Sequence, residues 1–243
     1  MTLLKLENIS KRFDGLLALN NINLDIESGQ IIGLVGDNGA GKSTLIKLIS
    51  GNYSPSSGHI YIKNQEIFFE TPLQARDAGI EVVYQDLALC GNLTAYENIF
   101  LGRESRYFPS IWSPVKTREI LEKSRSLISQ LQSDTDVEKE VASMSGGQRQ
   151  AIAISRTLLS DARLIIMDEP LAAISIRQVE QVLNLIKNLK QQGKAVLLVS
   201  HRLDDIFAVC DRIVILRRGE KVADRNTSEF TVQEVTGYIT GAH

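Results

Sequence analysis

Residues 36–44, Gly36-Asp37-Asn38-Gly39-Ala40-Gly41-Lys42-Ser43-Thr44, carry the strongest chemical signal in the chain. They fit the pattern G-x-x-x-x-G-K-[ST]. Glycines let a backbone wrap closely around phosphate, so that successive amides point inward. A helix starting at the end of such a loop adds its positive N-terminal end. Lys42 can neutralise the β- and γ-phosphates of a nucleoside triphosphate, and the Ser43 hydroxyl suits Mg²⁺. Gly36, Asn38, Gly39, Ala40, Gly41, Lys42, Ser43 and Thr44 are therefore the candidate binding residues of this stretch.

Leu164-Ile165-Ile166-Met167-Asp168-Glu169-Pro170 runs an apolar strand into two carboxylates. Successive strand residues face opposite ways, so the pair need not share one task. Asp168 is expected to hold Mg²⁺ through water, and Glu169 to polarise the attacking water as general base. A further segment, Ser145-Gly146-Gly147-Gln148-Arg149-Gln150, has serine and glutamine at capping-box spacing. It predicts a helix that starts with glycines and free amides, a place for an anion.

The elements that must hold these residues follow from pattern. Ile31 to Val35 is a short apolar run that leads into the glycine-rich turn, as a strand covered on both faces does. A helix is expected from Thr44 to Ser50, stopped by Gly51. Short apolar stretches at Leu3–Ile9, Leu16–Ile26 and His59–Ile62, punctuated by Gly, Asn and Asp, read as further strands. From about Leu87 to Leu159 the pattern turns helical. Thr94-Ala95-Tyr96-Glu97 opens one helix with a capping box, and residues 117–131 have helical spacing. Between them, Tyr107 to Pro114 reads as a loop carrying aromatics. Strands return at Leu164–Met167 and Ala195–Val199 with a helix from about Ile176 to Gln192 between them, which implies a right-handed crossover and a parallel sheet. Ile213 to Ala223 reads as a hairpin turning at Arg217-Arg218-Gly219-Glu220. With no internal repeat, the helical middle is an insertion within one α/β unit.

The chain has 243 residues, 43% of them hydrophobic and 23% charged, as an ordinary globular protein has. A net charge of −2 offers no basic excess for a nucleic acid. Cys90 and Cys210 match no metal or redox spacing and are expected to be buried thiols in a reducing compartment. The start, Met1-Thr2-Leu3-Leu4-Lys5, lacks the regions of a signal peptide. No apolar run reaches the ~18 residues that span a bilayer. Any membrane role is expected to go through a partner.

Together the phosphate loop, the Ser145–Gln148 segment and the Asp168-Glu169 pair resemble the ATP-binding cassette ATPases, in that family's order and over about residues 3–238. The resemblance implies an α/β fold: a P-loop ATPase core with a parallel sheet, an N-terminal antiparallel β subdomain and an inserted helical subdomain. Residues 1–243 would form one ABC ATPase domain, with core and β subdomain at 1–86 and 160–243 and the helical subdomain at 87–159. Gln85 looks like the glutamine that contacts Mg²⁺ and water, and His201 like the switch histidine on the γ-phosphate. Phe13 looks like the aromatic that stacks on adenine. Ser145, Gly146, Gly147 and Gln148 look like the signature that closes over ATP bound by a second ATPase subunit in a head-to-tail homodimer. ATP and Mg²⁺ would be the cofactors. Transmembrane permease subunits docked near Gln85 would place the chain at the cytoplasmic face of the cell membrane, with an extracytoplasmic substrate-binding protein as an indirect partner.

One residue departs from the family pattern. Leu171-Ala172-Ala173-Ile174-Ser175 ends in serine where the family usually has aspartate, and a neutral hydroxyl implies weaker coupling between the two ATP sites. The stretches Gly36–Lys47, Ala78–Leu89 and Asn98–Glu104, with a non-aspartate at position 175, resemble single-cassette monosaccharide importers of the fructose and ribose type. An amino-acid importer is the nearest alternative. A soluble ABC ATPase would be expected to carry two cassettes or a long coiled-coil insertion, and intact Lys42, Glu169 and His201 speak against a non-hydrolysing regulator.

Overall fold

The computed structural model describes residues 2–103, 114–160, 162–172 and 174–242. The aromatic loop expected from Tyr107 falls, up to residue 113, outside the described residues. Pro114 already opens a helix.

Two compact units divide the chain. The first comprises residues 1–82, 162–169 and 186–243. Its inner sheet has the order β10-β9-β3-β8-β7-β6. The strands are β3 (Ile31–Val35), β6 (Ile80–Val83), β7 (Leu164–Asp168), β8 (Ala195–Val199), β9 (Arg212–Arg217) and β10 (Glu220–Asn226). β3 runs parallel to both β8 and β9, and β8 parallel to β7. Every residue of β3 and β8 is buried, which is why these strands read as unbroken apolar runs rather than alternating ones. The helix after β3, α1, spans Lys42–Ile49.

A second, antiparallel sheet is built from β1 (Thr2–Phe13), β2 (Leu16–Glu27), β4 (Ser57–Ile62) and β5 (Gln65–Ile67), in the order β2-β1-β4-β5. Ile22, Leu24 and Ile26 of β2 are buried and the residues between them exposed, the alternation of a sheet with one covered face. Leu4, Leu6, Leu24, Ile32, Leu45, Ile49, Ile166 and Leu197 join one hydrophobic core. Arg212 ties the β9–β10 hairpin down: its Nε and Nη2 donate to the two Asp224 oxygens at 2.5 and 2.6 Å, and Nη1 to the Asp25 carbonyl at 2.9 Å. Burial acts to raise the Asp224 pKa, but hydrogen bonds from Arg212 and Lys221 hold it below the usual carboxylate range. The hairpin turns at Arg218 (φ 50°) and Gly219 (φ 81°), the two left-handed residues that a two-residue loop requires.

Short helices α2 (Pro72–Asp77) and α7 (Leu203–Val209) and the closing α8 (Val232–Thr240) complete this unit. α8 has no counterpart among the sequence expectations, although Thr231 and Glu234 form a capping box at its start.

The second unit comprises residues 83–161 and 170–185. It holds α3 (Ala95–Phe100), α4 (Pro114–Gln130) and α5 (Gly146–Leu159), together with the start of α6 (Ile176–Gln191). Ile99, Phe100, Leu127, Ile128, Ile152 and Ile154 are among its buried apolar side chains. The capping box expected at Thr94 is present, with Glu97 Oε2 accepting from the Thr94 N–H at 2.8 Å.

Candidate functional site

The loop between β3 and α1 is braced from outside by backbone hydrogen bonds. The Ala40 N–H donates to the Asp37 carbonyl (3.1 Å), the Gly219 N–H to the Ala40 carbonyl (3.0 Å), and the Asn20 N–H to the Gly219 carbonyl (2.8 Å). The β9–β10 turn and β2 thus brace the loop from outside. Gly41 sits at φ 107°, and a side chain there would strike Leu19 and the Ala18 carbonyl, so the braces themselves demand glycine. Gly41 caps α1 with no side-chain hydrogen bond, which leaves the first amides of the helix available to an anion.

Lys42, 8% exposed, folds its ammonium back on the loop and donates to the Gly36 and Asp37 carbonyls at 2.6 and 3.0 Å. A lysine ammonium has three N–H donors, so one remains for a phosphate. Ser43 is exposed on the first turn of α1. Burial lowers the Lys42 pKa against the opposing pull of Glu169, Asp168 and Asp37.

Asp168 ends β7 and Glu169 follows it, Glu169 in a left-handed conformation (φ 54°) fixed by its N–H donating to the Val199 carbonyl at 3.0 Å. This turn swings the Glu169 carboxylate to the end of the neighbouring β8, where His201 waits. Oε1 lies 3.2 Å from His201 Nε2, without hydrogen-bond geometry, and Oε2 accepts from the His201 N–H at 3.4 Å. Burial raises the pKa of both Asp168 and Glu169, opposed chiefly by Lys42 for Asp168 and by His201 for Glu169. Lys42, Asp168 and Glu169 therefore form one desolvated charge cluster, two carboxylates against one ammonium, with the exposed His201 at its edge. Such a site favours a positive ligand at the carboxylates and a negative one at the lysine.

Phe13, at the end of β1, meets Tyr53 edge-on with ring centroids 5.2 Å apart, and Lys11 Nζ stands 5.1 Å from the Phe13 centroid. Lys47 Nζ is 5.4 Å from the Tyr53 centroid. The rings offer a stacking face with cations beside it.

The remaining candidates belong to the second unit. Gln85 is exposed, two residues past β6. The segment that follows it is pinned. Asn98, wholly buried, accepts from the Cys90 N–H (2.8 Å) and donates to the carbonyls of Cys90, Leu93 and Thr94. Arg156 Nη1 donates to the Ala88 carbonyl at 3.0 Å. Leu87 and Ala88 both take positive φ, 57° and 44°, a strained pair that these contacts hold. Ser145 caps α5 in the expected box: Gln148 Oε1 accepts from the Ser145 N–H at 3.0 Å, and Ser145 Oγ from the Gln148 N–H at 3.3 Å.

The family model described as ABC transporter matches residues 19–172. The chain belongs to the ABC transporter family. Over 241 residues it is 39% identical to the xylose/arabinose import ATP-binding protein XylG of Sulfolobus acidocaldarius, covering 98% of this chain and 94% of that protein. The fructose import ATP-binding protein FrcA of Rhizobium meliloti is 38% identical over 99% of this chain and 94% of its own length. Against the ribose import ATP-binding protein RbsA of Hahella chejuensis the identity is 37%, and the chain spans 47% of that relative. Among solved structures, a nucleotide-free ATP-binding cassette from an ABC transporter superposes with a TM-score of 0.83 at 27% identity, over 98% of this chain and 96% of that one. A dimeric cassette in a post-hydrolysis state bound to ADP and Pi gives 0.80 at 27% identity, over 92% and 98%.

As an ABC ATPase cassette, the chain takes ATP as its triphosphate, and hydrolysis is its expected activity. Among the described residues no helix is long and apolar enough to cross a membrane. The cassette corrects one expectation: Cys210 is buried but Cys90 is exposed, because Asn98 anchors the Cys90 backbone in a loop and leaves the thiol outward. Asn98, Arg156, Lys11 and Tyr53 are absent from the sequence candidates: Arg156 and Tyr53 act through contacts distant in sequence, and the side chains of Asn98 and Lys11 serve a loop and a ring that no motif marks. Gln178 is absent too, although Ser175 and Gln178 repeat the spacing of Ser145 and Gln148.

Proposed function

We propose that the chain is the ATP-hydrolysing subunit of a monosaccharide importer, working as a head-to-tail homodimer docked on transmembrane permease subunits at the cytoplasmic face of the membrane. The Glu169–His201 pair, in one charge cluster with Lys42 and Asp168, carries the catalytic part of this reading. The loop amides and Lys42 bind the β- and γ-phosphates. Phe13 stacks on the adenine, with Lys11 and Tyr53 supporting the ring.

Glu169 accepts the proton of the attacking water. Its raised pKa suits this work, because a base is most effective when its pKa approaches the working pH. His201 orients the Glu169 carboxylate and reaches toward the γ-phosphate. The Ser43 hydroxyl and Asp168, with Gln85, are oxygen donors that would hold Mg²⁺ beside phosphate oxygens, the ligand set this ion prefers. Mg²⁺ there would neutralise charge that develops on the phosphates. Ser145, Gly146, Gly147 and Gln148 close over ATP held by the second subunit. An extracytoplasmic substrate-binding protein delivers the sugar to the permease.

The names of the relatives, each an import protein for a pentose or fructose, support the cargo. Glu169→Gln tests the catalytic role. It should retain ATP binding, slow hydrolysis by about 10²–10⁴ and accumulate an ATP-bound dimer on size exclusion; parental turnover would remove Glu169 from the role. The cargo is tested by uptake of labelled pentose or fructose after reconstitution with the cognate permease and receptor. Uptake of amino acids in place of sugars would overturn it.

A further inference from the structure

Ser175 is the cap of α6. Its backbone N–H and its hydroxyl donate to Gln178 Oε1 at 3.1 and 3.0 Å, and its hydroxyl oxygen accepts from the Gln178 N–H at 3.4 Å. The Gln178 side chain is thereby fixed, and it is fixed against Gly147. A methyl group added to Gly147 would overlap Gln178 Nε2, Cδ and Oε1 together. One turn further along α6, Gln181 Nε2 donates to the Gln132 carbonyl at 3.2 Å. The first turns of α6 are thus fastened within the second unit at two points, which agrees with residues 170–185 clustering with 83–161.

We propose that Gln178 is a positioning residue for the signature segment: clamped by Ser175, its amide sets where Gly147 and the anion-facing start of α5 rest. The proposal rests on the reading that Ser145–Gly147 faces ATP bound by the second subunit. It gives Ser175 a role inside its own subunit. Where the family usually has an aspartate, this chain has a cap whose displacement moves its own signature segment. It also gives Gly147 a second reason to be glycine, independent of how closely a phosphate approaches.

A double-mutant cycle on the full chain separates the two reasons. Gly147→Ala must expel the Gln178 amide and break the Ser175 cap, so it should lower both the melting temperature and the ATPase kcat/KM. Gln178→Ala removes the overlapping atoms, and with them the side-chain half of the cap and the amide that rests on Gly147; the residue-178 N–H still donates to Ser175 Oγ. In the double variant the losses should fall short of the sum, by about tenfold in kcat/KM, with a melting temperature no lower than that of Gln178→Ala alone. Additive losses would overturn the proposal.

Gln178→Glu supplies the second arm. Its carboxylate still accepts from the Ser175 N–H and hydroxyl, but it sets a negative oxygen beside Gly147. It should keep the parental melting temperature and raise the KM for ATP; parental kinetics would mean that Gln178 is a helix cap and nothing more. The melting arm needs no nucleotide. A parent chain that hydrolyses no ATP would defeat the reading of the site, and the stability cycle would still decide whether Gln178 positions Gly147.

Discussion

Two helices in this cassette begin at glycine-containing segments for which we propose anion contacts, and they begin differently. α1 starts at Gly41 with no side chain over its first amides. Its loop is shaped by backbone hydrogen bonds to Gly219 and, through it, to β2. α5 starts at Ser145 inside a capping box, with Gln148 turned back on the cap. The first arrangement keeps its donors for the ligand and takes its shape from the scaffold. The second satisfies part of its terminus internally, so its shape is kept without a ligand and is set by side chains that can be moved. Under the proposed function, rigid bracing suits the terminus that binds nucleotide within its own chain, and an adjustable cap suits the one that engages and releases.

Breaking each start should therefore give opposite results. Lys42→Ala removes the buried ammonium of the charge cluster and should weaken ATP binding about a hundredfold or more, the scale of losing a buried charge partner. Its far-UV circular dichroism should match the parent's. Calorimetry with ATP–Mg²⁺ measures the loss, and near-parental affinity would count against the phosphate-loop role. Ser145→Ala should do the reverse. Loss of the cap costs about 1 kcal/mol of stability, read as a lower melting temperature, while monomer ATP affinity stays at the parental value. A fall in monomer affinity would mean that the two starts share one ligand within a single chain.

The same contrast explains what was legible in the sequence. The phosphate loop, β3, β7 and β8 are contiguous: motif, apolar run and carboxylate pair sit side by side, so local pattern suffices. The boundaries shifted only slightly, as where the helix expected from Thr44 to Ser50 runs Lys42–Ile49. What local pattern could not supply is contact across distance. Nothing near Gly41 reveals that Leu19 and Ala18 exclude a side chain there, and nothing near Ala88 announces that Arg156 holds its carbonyl. α7 is short and begins at Arg202 without a side-chain cap, so it left no start signal. Thr231–Glu234 and Ser175–Gln178 did leave one, the same capping-box spacing that marked α5. The helix expected from Ile176 already places Ser175 at its start; the partnership with Gln178 is what the comparison with the family aspartate hides.

The smallest effect expected comes from the charge cluster itself, in the nucleotide-free chain. Burial raises the Glu169 pKa in the folded state, with His201 and Lys42 opposing. Below the ordinary carboxylate range both folded and unfolded chains carry the proton, and Glu169 contributes nothing to the pH dependence. As pH rises through that range the unfolded chain releases its proton first, while the folded chain still holds its own. The unfolded state then binds fewer protons, so stability falls with rising pH until the folded group ionises as well. At neutral pH the full penalty is present. Glu169→Gln removes the charge but keeps the shape, so the nucleotide-free variant should be more stable than the parent at pH 7.5, with the advantage vanishing as pH drops through the carboxylate range. Urea melts of both chains at pH 7.5 and at pH 4 measure the difference. Asp168→Asn, whose parent carboxylate is also raised by burial, should behave alike. An advantage that persists unchanged at low pH would show that packing, rather than buried charge, sets the cost at this site.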